Sequence, residues 1–142
     1  MKGGTDPRVT EVTKRLGTAG LRVTRARLEL GKLLFCGPNR HVSAEGLYLE
    51  AQQIRFPPSL ATVYNTLNQF TEVGLLREIP VEGQRSFFDT RTGPHHHYLD
   101  ETTGALFDAP DDVVEIAHCA TAPDGYEIAE VQVVVRLRKV RG

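Results

Sequence analysis

This chain of 142 residues has few thiol groups, because the sequence contains only two cysteines. Cys36 and Cys119 lie far apart, and neither belongs to a Cys-x-x-Cys pair. This argues against a disulfide framework, and it predicts that a structural zinc site built from four cysteines is absent. Each cysteine is interpreted as a small buried hydrophobic residue.

Long apolar runs are missing as well. No stretch of about 18 apolar residues occurs, and residues 1–10 have no apolar core of the secretory type. We therefore expect a soluble, cytoplasmic protein without a membrane partner.

The length permits either one domain or two small domains of about 80 and 50 residues. A half of about 50 residues that has to bury a strand as apolar as residues 131–137 is marginal alone. A second copy of the chain is the simplest source of the missing core, so we expect an obligate homodimer.

The formal net charge of −1 conceals an asymmetry between the two halves. Residues 1–89 carry 12 basic and 9 acidic side chains, whereas the remainder carries 5 and 9. Between Lys14 and Arg40, seven basic residues face a single acid, Glu29. This pattern is typical of a phosphate-binding surface, although a solvated helix face would give the same pattern.

Four segments of the first half carry apolar residues at helical spacing. Thr24, Ser43 and Ser59 are predicted N-caps of the last three. The third helix is expected to direct Ile54 inward, and Gly74 is expected to end the fourth. The four segments are residues 9–16, 25–35, 44–54 and 60–73.

The fourth helix has an apolar stripe of Leu60, Val63, Leu67 and Phe70 and an opposite face of uncharged hydrogen-bonding groups. Such groups can contact base edges. Two strands, 75–79 and 84–89, follow as a predicted hairpin around Pro80 to Gly83, which completes a winged helix-turn-helix domain. The predicted DNA contacts are Thr62, Tyr64 and Asn65 from this helix, with Arg22, Arg25 and Arg27 on phosphates.

The second half is of a different type, so the fold class is α+β, with the winged-helix domain followed by a small α/β dimerisation domain. Strands are predicted at 95–100, 105–108 and 126–137, and a short helix at 111–119. Val131, Val133, Val135 and Leu137 are expected to share one face of the last strand. The predicted boundaries are 1–89 for the first domain, 90–94 for a hinge and 95–142 for the second domain.

Three consecutive histidines stand at the start of the second half. Residues i and i+2 of a strand share a face, so His95 and His97 can bind one cation while His96 faces the other side. Asp89 and Asp108 can approach the same point, and His41 precedes the third helix. Three imidazoles and two carboxylates suit Fe(II), Mn(II) or Zn(II), although the run could also be polar strand surface.

Several segments of the sequence resemble the ferric uptake regulator family over residues 21–137. The resemblance implies a metal-responsive transcription regulator that acts on a double-stranded DNA operator. It also implies a regulatory site made by His41, Asp89, His95, His97 and Asp108. The segments are Leu21-Arg22-Val23-Thr24, His41-Val42-Ser43-Ala44-Glu45-Gly46-Leu47-Tyr48, Ala61-Thr62-Val63-Tyr64-Asn65-Thr66-Leu67, Gly74-Leu75-Leu76 and residues 89–97.

Most members of that family hold their sensing half with two Cys-x-x-Cys pairs around structural zinc, and this chain has none. Asp100 and Thr103 stand near the position of the first pair. The missing cysteines and the histidine run resemble the iron response regulator branch, in which haem is sensed. His96 is then the predicted haem or second-metal ligand, with His118 as a further option.

Three regulator types remain open within this resemblance: an iron response regulator, a peroxide sensor in which bound Fe(II) oxidises a ligand histidine, and an iron- or manganese-dependent repressor. A non-haem iron enzyme is the alternative from another class, since two histidines and one carboxylate can hold Fe(II). The sequence shows no nucleophile with a paired base and no Gly-rich phosphate loop, so we predict that the chain is not an enzyme.

Overall fold

The computed structural model of the chain describes residues 6–81, 86–115, 117–118 and 121–140. It divides into two compact units, Met1–Thr92 and Gly93–Gly142. None of the helices in the described ranges is long and apolar enough to cross a membrane.

Four helices lie within the described residues of the first unit, and each begins after a residue whose side chain accepts a hydrogen bond from the first turn. The caps are Asp6, Thr24, Ser43 and Ser59, so the three caps predicted from the sequence are confirmed. Such caps satisfy amide groups that have no partner inside the helix. The helices are α1 (Pro7–Thr18), α2 (Arg25–Phe35), α3 (Ala44–Ala51) and α4 (Leu60–Glu72).

The helical stripes form one core. α4 contributes Val63, Leu67 and Phe70, all fully buried, and ends before Gly74, which adopts a positive φ of 81°. Two details of the prediction were wrong. Leu60 is exposed, because it is the first residue of α4. Ile54 lies after the end of α3 rather than within it, although it still packs against the core.

The contact between α1 and α2 depends on a glycine. A Cβ atom added at Gly31 would lie 2.6 Å from Cγ1 of Val12, which is fully buried and β-branched. We expect Gly31→Ala to destabilise the protein by about 1–2 kcal/mol, because overpacking outweighs the gain in helix propensity. Urea unfolding of the full chain in chelator measures this effect.

Gly17 provides the matched control, because a Cβ atom added there meets nothing within 4 Å. Gly17→Ala should leave stability unchanged or raise it by about 0.5 kcal/mol. Equal effects of the two substitutions would contradict the close helix contact.

A three-stranded sheet completes the first unit, in the order β1 (His41–Val42), β3 (Phe87–Asp89) and β2 (Arg77–Ile79). β2 and β3 pair in antiparallel fashion as the predicted hairpin requires, although both strands are shorter than predicted. Residues 84 and 85 of the predicted second strand lie outside the described residues. The strand β1 was not predicted.

The second unit has a sheet in the order β5 (Leu106–Asp108), β4 (His97–Asp100) and β6 (Val134–Leu137). β4 pairs with β5 in antiparallel fashion and with β6 in parallel fashion. The predicted strand at 126–137 was too long, because β4 offers a ladder of only four residues. The helix predicted at 111–119 was wrong for residues 111–114, which form a turn and a bend, and Cys119 lies outside the described part.

Candidate metal centre and DNA-binding surface

In the first unit, two of the predicted metal ligands lie on neighbouring strands. His41 of β1 is directly opposite Asp89 of β3, and His41 Nε2 lies 3.1 Å from Asp89 Oδ2. Asp89 is 1% exposed, and its other carboxylate oxygen accepts a hydrogen bond from the Arg91 amide at 2.8 Å. Strand pairing thus aligns one imidazole and one carboxylate that are 48 residues apart in sequence.

In the second unit, the other three predicted ligands form a cluster. His97 of β4 is opposite Asp108 of β5, and the rings of His95 and His97 lie 4.3 Å apart between centroids. Asp108 Oδ1 is 3.2 Å from His95 Nε2 and 3.8 Å from His97 Nε2. Both histidines are buried, and one ligand atom of each of the three residues lies within 4.8 Å of the other two.

The hydrogen bond of His95 is of the kind that metal-bound histidines make. His95 Nδ1 lies 2.6 Å from the carbonyl oxygen of Gly93 and donates its proton there. In a ring whose only proton is on Nδ1, the Nε2 lone pair is available to a cation held beside Asp108 Oδ1. Metal-bound histidines commonly donate the other ring N–H to a backbone carbonyl in this way.

Gln132 is a contact that the sequence reasoning missed. Its side-chain amide nitrogen lies 3.4 Å from Nδ1 of His97. The two residues are 35 positions apart in sequence. No short sequence motif predicts such a contact. Gln132 therefore contacts the His97 ring at Nδ1, away from the Nε2 atom that lies near Asp108.

The outer face of α4 presents the side chains predicted to contact bases. Asn65 is exposed, and within the described ranges its side chain makes no hydrogen bond. Tyr64 is exposed at its ring, and its hydroxyl donates to Glu45 Oε2 of α3 at 2.7 Å, a partner that the sequence reasoning missed. Thr62 is half-buried, and its hydroxyl accepts a hydrogen bond from Ser59 at 3.0 Å.

The three predicted phosphate contacts differ in their surroundings. Arg22 and Arg25 are exposed. Arg27 is half-buried, and its guanidinium donates to the Arg22 carbonyl at 2.7 Å and to Gln69 Oε1 at 3.2 Å. Arg27 therefore holds the segment before α2 against α4.

Comparison with known proteins agrees with this arrangement. The sequence model described as the ferric uptake regulator family matches residues 18–136. The ferric uptake regulation protein of Shigella flexneri is 37% identical over 108 residues, which cover 75% of this chain and 73% of the relative. The chain belongs to the ferric uptake regulator family.

Solved structures of the family share the fold. The ferric uptake regulator of Pseudomonas aeruginosa, determined with manganese, superposes with a TM-score of 0.68 at 27% identity and covers 92% of this chain and 98% of its own. The Vibrio cholerae ferric uptake regulator gives a TM-score of 0.68 at 26% identity, covering 89% and 98%. The chain is accordingly a metal-responsive transcription regulator rather than an enzyme.

This ferric uptake regulator homologue has a hydrogen-bonded turn where the sequence resemblance places the first cysteine pair. Asp100 Oδ1 accepts hydrogen bonds from the amides of Thr102 at 2.8 Å and Thr103 at 3.4 Å. The Thr102 amide thereby holds the pKa of Asp100 below its usual value. Local side-chain hydrogen bonds thus close the turn between β4 and β5.

His96 makes a contact that bears on the predicted haem site. Its Nδ1 accepts a hydrogen bond from the Val133 amide at 3.2 Å, so a neutral ring carries its proton on Nε2. This contact favours a structural role, in which His96, directly before β4, binds the residue directly before β6. His118 is exposed and lies outside any helix. Haem binding at these residues and the iron response regulator branch stay predictions.

Proposed function

We propose that this protein is an iron- or manganese-responsive DNA-binding regulator that acts as a homodimer. In this proposal His41 and Asp89 of the first unit and His95, His97 and Asp108 of the second bind one cation together. The observation that carries it is the buried pair of imidazoles beside Asp108, in which His95 Nδ1 is bound to the Gly93 carbonyl and Nε2 lies 3.2 Å from the carboxylate.

The choice of metal follows from the donor atoms. Three imidazole nitrogens and two carboxylates, without a thiolate among them, suit Fe(II) and Mn(II), and Zn(II) can occupy such a set during purification. The manganese described for the Pseudomonas aeruginosa homologue supports this assignment. A bound cation supplies positive charge that neutralises both carboxylates.

The proposed ligands belong to both units, which are divided between Thr92 and Gly93. This division suggests how metal binding can control DNA affinity. Two ligands belong to the DNA-binding unit and three to the sensing unit, so shared ligation fixes the orientation of one unit to the other. In a dimer this orientation sets the spacing of the two α4 helices, which has to match the spacing of the operator half-sites. The gain in DNA affinity is limited by the difference in metal affinity between the two conformations.

Exposed apolar side chains support a homodimer. Tyr126 is 77% exposed and Val131 is 43% exposed, and Leu137 of β6 is only half-buried. In the described part of the second unit the sheet has three short strands, which enclose a small core. A second copy of the chain covers such a surface most simply, as closed symmetric dimers commonly do.

The decisive test of this function is DNA binding under defined metal conditions. An operator is first selected from a randomised duplex pool with the purified protein and Mn(II). Its affinity is then measured under anaerobic conditions with Fe(II), with Mn(II), with haem or with chelator. We expect Fe(II) and Mn(II) to change the affinity by about 5- to 150-fold. Equal affinity in all four conditions would refute metal-dependent regulation.

Base contact by Asn65 gives a further expected result. An asparagine amide can donate to N7 of adenine and accept from its N6 amino group, which forms a bidentate pair. Asn65→Ala should therefore reduce discrimination against a changed adenine by about 5- to 150-fold for each half-site and leave the salt dependence unaltered. Fluorescence anisotropy with matched and altered duplexes measures both quantities. An equal reduction in affinity for every duplex would contradict base contact.

A further inference from the structure

An exposed phenylalanine with two arginines lies beside the amino-terminal end of α4. Phe56 is 59% exposed, whereas Phe70 of α4 is fully buried. The guanidinium carbon of Arg25 lies 4.3 Å from the centre of the Phe56 ring, and that of Arg55 lies 5.2 Å from it. Both distances fall within the range of cation–π attraction.

These two guanidinium groups differ from three others in the first unit. Arg8, Arg15 and Arg40 form ion pairs with Asp6, Glu11 and Glu50. Within residues 6–81 and the other described ranges, Arg25 and Arg55 form no ion pair. Two positive charges therefore lie at one aromatic ring, and neither has an ion-pair partner among the described residues.

A nearby acid is already neutralised. Glu29 lines the same cleft as Arg25, Phe56 and Thr62, but it is bound to Lys32 at 3.1 Å. The cleft has a largely apolar wall that includes Phe56, and Arg25 is the basic residue that lines it. Thr62 belongs to α4, the helix proposed to contact bases, so an anion bound by Arg25 would lie beside the DNA-binding surface.

We propose that Arg25 and Arg55, stacked on Phe56, form a clamp for a DNA backbone phosphate next to α4. This inference rests on the proposed function, and it assigns roles to Arg55 and Phe56 that the sequence did not suggest. Stacking on a ring leaves the edge of a guanidinium group free, and that edge carries the N–H donors that match phosphate oxygens. Phe56 is then a positioning residue that holds both donors in place.

The test measures the salt dependence of DNA affinity for metal-loaded variants of the full chain. Removal of one phosphate contact should lower the slope of log affinity against log salt by about 0.9, hence by roughly 2 for a dimer that carries the substitution in both protomers. We expect this change for the double variant Arg25→Ala/Arg55→Ala, and a smaller decrease for each single variant, on the selected operator and on an unrelated duplex. Arg138→Ala, at an exposed arginine of the second unit, is the matched control and should leave the slope unchanged.

Phe56→Leu separates positioning from direct contact. Removal of the aromatic ring should weaken binding to both duplexes by about two- to five-fold for each clamp, with the slope preserved because both arginines remain. Circular dichroism confirms that the variants are folded.

Two results would overturn the clamp. One is a wild-type slope for the double arginine variant. The other is a weakening by Phe56→Leu that is confined to the operator, which would mean that the ring contacts a base. A wild-type protein that binds no duplex in any metal condition would instead refute the proposed function itself.

Discussion

Replacement of His97 by alanine is expected to lower the affinity for Fe(II) or Mn(II) by at least about 100-fold. Loss of a residue that only hydrogen-bonds to a metal ligand already lowers metal affinity by about 10- to 100-fold, and loss of the ligand itself should cost more. His97 is fully buried, and its ring lies beside His95 and opposite Asp108. Anaerobic competition with a chromogenic chelator measures the affinity. A second readout is thermal stability, because a metal at 100 times its Kd stabilises a folded protein by about 2.7 kcal/mol, and the variant should lack this gain.

His96→Ala is the matched control for this experiment. It removes an imidazole from the same region of the chain, but the ring nitrogen of His96 binds the Val133 amide rather than Asp108. We expect stability to fall by about 1 kcal/mol from the broken hydrogen bond and the metal affinity to stay close to that of the wild type. A larger decrease in metal affinity in this variant than in His97→Ala would contradict the proposed ligand set.

The helical part of the fold could be predicted well, because its signals are local. Thr24, Ser43 and Ser59 bind amides three residues ahead, and the apolar stripes repeat within one helix. β1 could not be found in this way, since two residues cannot show a pattern of alternation. That strand exists because His41 and Val42 pair with residues 88 and 89 of β3, far along the chain.

The second unit shows the opposite failure. The alternation of apolar residues predicted a strand from 126 to 137, but strand length depends on the partner as well as on the pattern. β4 begins at His97 and ends at Asp100, where the hydrogen-bonded turn starts, so β6 pairs over only four residues. The valines before Val134 are interpreted as part of a surface for the second protomer.

The closeness of His95 and His97 could be predicted from their i, i+2 spacing, which is a local rule, although β4 begins only at His97. Their supporting residues could not be predicted. Gln132 reaches His97 and Glu45 reaches Tyr64 across different elements, and glutamine and glutamate are common on any protein surface. Spacing thus predicts which atoms can bind, whereas packing decides which residues hold them in place.

Replacement of Asp89 by asparagine is expected to uncouple metal binding from DNA binding. Asparagine keeps the size of the side chain and an oxygen for the Arg91 amide, which lies 2.8 Å away, but it removes the negative charge beside His41. If one cation is shared by both units, the metal-dependent gain in DNA affinity should fall from about 5- to 150-fold towards no effect. Anisotropy titrations of the operator with Mn(II) and with chelator measure this ratio.

The reciprocal measurement distinguishes a shared cation from two separate sites. Linkage requires operator DNA to raise the metal affinity of the wild type by the same factor by which metal raises the DNA affinity. In Asp89→Asn both factors should shrink together, while His95, His97 and Asp108 still bind metal weakly. Asp124→Asn, at an exposed acid of the second unit, should keep both factors. Full coupling in Asp89→Asn would contradict the assignment of the Asp89 carboxylate to the shared cation.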